Sequence, residues 1–189
     1  MQGQALTALP VMPMAMPVRA FSAQAAPKSF FDCGATKLDG TKVDSIRELV
    51  GAAKAVLVVN VASKWGVTER DYVQLAQMYK DLKGEGLEIL AFPCNQFGAQ
   101  EPEDAAWILD FVKQYPVDFH MMEKVDVQGD NEHQTYKALR DASELEGGEL
   151  VWNFEKFLVN GEGKVVKHYR KEWDPKSIVP DIQALLKWA

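Results

Sequence analysis

The sequence predicts an α/β fold in which a mixed central sheet carries helices on both faces, and three observations lead there. Residues 56–62 (VLVVNVA) are β-branched and nearly all apolar, as suits a central strand buried on both faces. A helix-spaced apolar run and a second apolar strand, residues 87–92 (LEILAF), follow it. Strand–helix–strand implies parallel pairing through a right-handed crossover. Two hairpin signatures, one early and one late, add antiparallel strands.

Each element has its own local reason. Asp39-Gly40 between residues 35–38 and 41–44 reads as a tight hairpin. After the first central strand, Thr68 opens a helix with Asp71 three positions on, in the capping-box pattern. Tyr72, Leu75, Met78, Tyr79 and Leu82 form its inner stripe, and Gly84 and Gly86 end it. Residues 103–114 read as another helix, with Ala105, Ile108, Leu109 and Val112 facing inward. Residues 155–160 and 164–169 alternate around Gly161-Glu162-Gly163, the second hairpin. The last helix places Ile178, Ile182, Leu185 and Leu186 on one face, with Pro175 near its start.

Composition bounds what the chain does. With 189 residues, 47% of them hydrophobic and 25% charged, it has enough apolar material for one core without metal or disulfide staples. The net charge of -6 argues against nucleic acid, whose phosphates need basic surface. It argues equally against broad attraction to an anionic membrane. Lys164, Lys167, His168, Arg170 and Lys171 make a local basic cluster, read as a solvated hairpin face. Cys33 and Cys94 are too few for a disulfide framework and fit free thiols in a reducing compartment. The three histidines, His120, His133 and His168, lack metal-ligand spacing, so no metal or cofactor is expected. Residues 1–27 contain no acidic side chain and many Ala, Met and Pro. They are expected to be a targeting presequence ahead of a single domain at 28–189. Arg19-Ala20-Phe21-Ser22 points to an organelle, mitochondrion or plastid; a secretory signal and a cytoplasmic protein are the alternatives. No later stretch could span a bilayer.

The chemistry is expected where the first central strand meets the next helix, Asn60-Val61-Ala62-Ser63-Lys64-Trp65-Gly66-Val67-Thr68. A group just before a helix N-terminus faces unpaired N–H groups and the positive end of the dipole. A thiolate or selenolate is stabilised there. In this sequence the place is taken by an indole, which has no such chemistry.

From these residues the chain resembles the glutathione peroxidases, whose NVAS-x-x-G-x-T motif holds a selenocysteine or cysteine directly before the Gly, here at Trp65. Phe92-Pro93-Cys94-Asn95-Gln96-Phe97-Gly98, Gln100-Glu101-Pro102 and Trp152-Asn153-Phe154 match further signatures of that family, in order. The family's His-Pro-Leu-Tyr stretch departs here to His133-Gln134-Thr135-Tyr136. The resemblance runs from about Ser29 to the C-terminus. It implies a thioredoxin-like fold and a site in which Gln100, Trp152 and Asn153 donate hydrogen bonds to the nucleophile at position 65. It also implies glutathione as reducing co-substrate, a hydroperoxide as substrate, a role in the response to oxidative stress, and no stable membrane insertion. Cys94 matches a cysteine that is buried in the family and not the nucleophile. The short segment between Val127 and Trp152 fits the small monomeric, phospholipid-hydroperoxide type.

Three accounts of Trp65 stand open: a selenocysteine whose UGA codon was read as tryptophan, a true substitution in a catalytically dead homologue acting as a binding or scaffold protein, or chemistry moved elsewhere, for instance to Cys94. Ile108 occupies the slot where thioredoxin-dependent members carry a resolving cysteine, which fits a selenoenzyme resolved by external glutathione and fits a dead enzyme equally. Retention of Gln100, Trp152 and Asn153 favours the first account. So does the bulk of an indole, expected to crowd a tight turn followed by Gly66.

Overall fold

A computed structural model of the chain describes residues 29–145 and 147–188. The expected presequence, residues 1–27, lies outside the described residues. Among the described residues seven strands occur: β1 (Ala35–Thr36), β2 (Lys42–Val43), β3 (Ala55–Val61), β4 (Leu87–Pro93), β5 (His120–Met121), β6 (Lys156–Asn160) and β7 (Val165–Tyr169). The helices are α1 (Ile46–Val50), α2 (Thr68–Leu82), α3 (Ala105–Val112), α4 (Gln134–Asp141) and α5 (Val179–Trp188).

Five strands make the central sheet, in the order β5-β4-β3-β6-β7. β3 pairs parallel with β4 and antiparallel with β6, so the mixed sheet expected from the sequence is present, with the closing hairpin on one side. Alternate residues of β3 enter two separate cores. Leu57, Val59 and Val61 join Leu75, Met78 and Tyr79 from α2, Ile108 from α3, Ile182 from α5 and Ile178 from the 3-10 turn before it. Val56 and Val58 join Ile46, Val50, Tyr136 and Leu139 from α1 and α4 on the other face. Helices therefore cover both faces, the thioredoxin-like layout. The early hairpin forms around Gly40, whose φ of 88° needs the freedom of glycine.

Four local expectations change. Thr68 is the first helical residue of α2 and Val67 its N-cap; the Thr68 hydroxyl turns back to the Ala62 carbonyl at 2.6 Å. Asp71, expected as its capping partner, is fully buried and pairs with Arg70 at 2.7 Å. Helix α3 is shorter than residues 103–114 because the Asp104 side chain caps it by accepting from Trp107 N–H, and Ala105 is exposed. β6 does not alternate: Leu158 enters one core and Phe157 and Val159 the other, so both its faces are covered. Lys156, 0% exposed, donates from Nζ to the Trp173 carbonyl, and burial pushes its ammonium down to about 8. Residues 127–152, short in the sequence, hold α4 and close on the Arg140–Glu132 pair.

Candidate active site

The otherwise apolar β3 carries one polar residue, Asn60, and it organises the site. Its Nδ2 donates to the Trp152 carbonyl at 2.9 Å, its Oδ1 accepts from Glu155 N–H at 2.9 Å, and its carbonyl accepts from Phe154 N–H at 2.7 Å. The loop bearing Trp152 and Asn153 is thereby sewn to the strand that leads to position 65.

Glu155 completes that loop from within. Its Oε1 accepts from Val151 N–H at 2.7 Å and Trp152 N–H at 2.9 Å, while Oε2 lies 2.7 Å from His168 Nε2. Both side chains are buried, at 1% and 2% exposure. Phe154 is held at φ 59°, a left-handed conformation that a non-glycine residue keeps only when its surroundings enforce it. Ala99 at φ 50° and Gly98 at φ 64° fold the opposite loop back, so that Gln100 reaches Asn153.

Gln100 and Asn153 are in direct contact, Nδ2 of Asn153 donating to Gln100 Oε1 at 2.8 Å. Asn153 also donates to the Phe97 carbonyl at 3.4 Å. Its amide donors are therefore directed at these acceptors, and the Gln100 amide N–H groups have no protein acceptor among the described residues. The Gln100 carbonyl accepts from Lys64 N–H at 3.0 Å, which places Gln100 against the turn that carries Trp65.

Trp65 follows β3 in the turn before α2. Its N–H donates to Thr68 Oγ1 at 3.2 Å and its carbonyl accepts from Thr68 N–H at 3.2 Å. The half-buried indole stacks on Phe154, centroids 5.6 Å apart and planes at 25°. It packs against the core beneath α2, so the turn seats it without the expected crowding, and a Cβ at Gly66 would meet nothing within 4 Å. An open groove of about 420 Å³ beside it is lined by Gly66, Val67, Arg70 and Val73, among others.

Trp152 stands apart from this contact. Its ring packs against the other core, 6.3 Å from Phe97 and with Lys171 Nζ 4.9 Å from its centroid. The structure thus brings Gln100, Asn153 and the position-65 turn together, and fixes Trp152 through its backbone. Two members of the basic cluster meet this loop, Lys171 over Trp152 and His168 against Glu155. Lys167 pairs with Asp181 at 2.8 Å, and His168 is buried.

The other candidates separate cleanly. Cys94 is buried, its S–H pointing to Gln96 Oε1 at 3.7 Å. Burial pushes its thiol up to about 11, the reverse of an activated nucleophile. His120 lies 3.3 Å from Glu88, and His133 caps α4. Among the described residues no group of three His, Cys, Asp or Glu side chains could hold a metal ion. The sequence reading missed Asn60 and Glu155; a lone Asn inside an apolar strand is the signal that could have exposed the first.

A family model described as glutathione peroxidase matches residues 30–140. The "Probable phospholipid hydroperoxide glutathione peroxidase" of Citrus sinensis is 49% identical over 138 residues, covering 72% of this chain and 83% of that protein. The "Probable phospholipid hydroperoxide glutathione peroxidase 6, mitochondrial" of Arabidopsis thaliana is 41% identical over 167 residues, 87% of this chain and 71% of that protein. The crystal structure of "Trgpx in apo form" superposes with a TM-score of 0.68 at 35% identity, covering 86% of this chain and 97% of that one.

Proposed function

The chain belongs to the glutathione peroxidase family, and from that premise we propose that it reduces hydrogen peroxide and organic or lipid hydroperoxides with glutathione, through a selenocysteine at the position read as Trp65. The observation that carries this reading is the intact support around that position. Gln100 and Asn153 are hydrogen-bonded to each other at 2.8 Å and held to the residue-65 turn through Lys64 N–H, although an indole has no use for them.

The chemistry is a two-stage exchange. The selenolate, at the positive end of α2, takes the terminal oxygen of the peroxide as the O–O bond breaks; the alkoxide, or hydroxide from hydrogen peroxide, leaves and takes a proton from solvent, and selenenic acid remains. One glutathione thiol forms a selenenyl sulfide and releases water. A second thiolate attacks the sulfur, giving glutathione disulfide and restoring the selenolate. The Gln100 amide supplies donors for the anion, and Asn153 orients Gln100 by donating to its Oε1. Trp152, set beside Phe97, is the third member of the proposed site. The groove beside Gly66 leaves an open approach for bulky hydroperoxides, and the Citrus relative is named for a phospholipid hydroperoxide. A monomer and an organellar location after removal of residues 1–27 belong to the same proposal; the Arabidopsis relative named above is called mitochondrial.

One observation favours a second reading. The Trp65 ring finds a stacking partner in Phe154, as a true tryptophan in a catalytically dead scaffold protein would. Recombinant protein with Trp encoded at 65, assayed with glutathione and a hydroperoxide, should show no turnover, whereas Trp65→Cys should show it. Robust activity of the Trp65 protein defeats the assignment of the nucleophile, and a folded but inactive Trp65→Cys favours the scaffold reading.

A further inference from the structure

Glu101 follows Gln100 and is 0% exposed. Its Oε2 accepts from Ser63 Oγ at 2.9 Å, two residues before position 65, and its own N–H donates to Asn95 Oδ1 at 2.9 Å. Its Oε1 has no hydrogen-bond partner among the described residues. The next main-chain contact along the same seam is Lys64 N–H to the Gln100 carbonyl at 3.0 Å. A buried carboxyl thus bridges the turn that carries residue 65 and the loop that carries Gln100.

The charged and titratable groups facing it come from four sides: Lys64 from the turn, Lys124 from the segment after β5, Tyr72 from α2 and Cys94 at the end of β4. Neither lysine is bonded to the carboxyl. Lys64 pairs with Glu103, and Lys124 Nζ donates to the carbonyls of Glu101, Pro102 and Glu103 at 3.2, 3.3 and 2.8 Å. A buried carboxylate held by one hydroxyl is costly in its charged form.

We propose that Glu101 is a positioning residue of this site, tying the β3–α2 turn to the Gln100 loop through Ser63, and that its charge governs the pH range in which residue 65 becomes an anion. Burial supports this by pushing the Glu101 carboxyl up to about 7, against the lowering pull of Ser63, Lys124 and Lys64. Below that pH Glu101 is neutral and leaves the anion at 65 undisturbed. Above it, Glu101 is charged while bonded to Ser63 Oγ, two residues before position 65, and that carboxylate and an anion at 65 each make the other harder to ionise. The proposal rests on the peroxidase reading in taking residue 65 as the reacting group.

The test uses Trp65→Cys, with alkylation of the introduced thiol by iodoacetamide followed from pH 5 to 10 and the Trp65 protein as blank for Cys33 and Cys94. The Trp65→Cys profile should show two ionisations, one near pH 7. Adding Glu101→Gln, which keeps an acceptor for Ser63, should remove that inflection and let the thiolate form about one pH unit lower. Superposable profiles overturn the proposal. Should Glu101→Gln fail to fold, Ser63→Ala replaces it; loss of the hydrogen bond should move the inflection upward, and an unmoved inflection overturns the proposal. An introduced thiol that alkylates as expected yet reduces no hydroperoxide separates failure of the peroxidase reading from failure of this one.

Discussion

Glu155 holds two main-chain N–H groups and a histidine in a space almost closed to water. Glu155→Ala leaves all three without their acceptor, and the expected cost is about 3 kcal/mol or more, read as a lowered urea midpoint. A loss under about 0.5 kcal/mol, the usual range of a surface change, contradicts that role. Glu101 carries a pH signature. Its folded value of about 7 stands above its ordinary 4.5, so its stabilising contribution is complete below pH 4.5 and is lost as pH rises through 7. Linkage makes that swing about 3 kcal/mol. Glu101→Gln should reduce the fall in stability between pH 5 and 8 seen by urea titration, and an equal fall in both proteins refutes it. At this scale the sequence spoke through motifs: four signatures in register singled out Gln100, Trp152 and Asn153, of which Gln100 and Asn153 are in contact and the Trp152 ring stands apart. The roles of Glu155 and Glu101 were not legible, because a carboxylate reads as surface until its partners are known.

Among the elements, α2 shows how a correct helix can start for a different reason. Its stripe of Tyr72, Leu75, Met78, Tyr79 and Leu82 is buried as the spacing required. The Thr68 hydroxyl, however, serves the turn by bonding the Ala62 carbonyl and Trp65 N–H. Capping pattern and turn bond use the same residue type, and only the path of the chain separates them. Helix α3 places Ile108 at 0% exposure, under the helix and away from solvent. Ile108→Ala should therefore cost about 2–5 kcal/mol by opening a cavity, measured by thermal or urea unfolding; a loss below about 1 kcal/mol contradicts this packing. The alternation expected in β6 failed because packed cores cover the sheet on both faces there, and a polar side chain such as Lys156 then needs a partner, the Trp173 carbonyl.

For the whole molecule, strand order followed from two short arguments: a crossover makes β3 and β4 parallel, and a hairpin adds β6 and β7 antiparallel. What the sequence reading did not supply was α4, capped locally by His133, and the two-residue β5, which exists only by pairing with β4. The same architecture delivers Gln100, Asn153 and residue 65 to one end of β3 from three separate segments. Sizing by light scattering should find a monomer, and a stable tetramer would contradict the subtype.

Whether this end of β3 holds a redox nucleophile is decided by the intact mass of the native protein purified from its source, since selenium has a distinctive isotope pattern. Selenocysteine at position 65 is the expected result; a mass matching tryptophan there overturns the peroxidase reading.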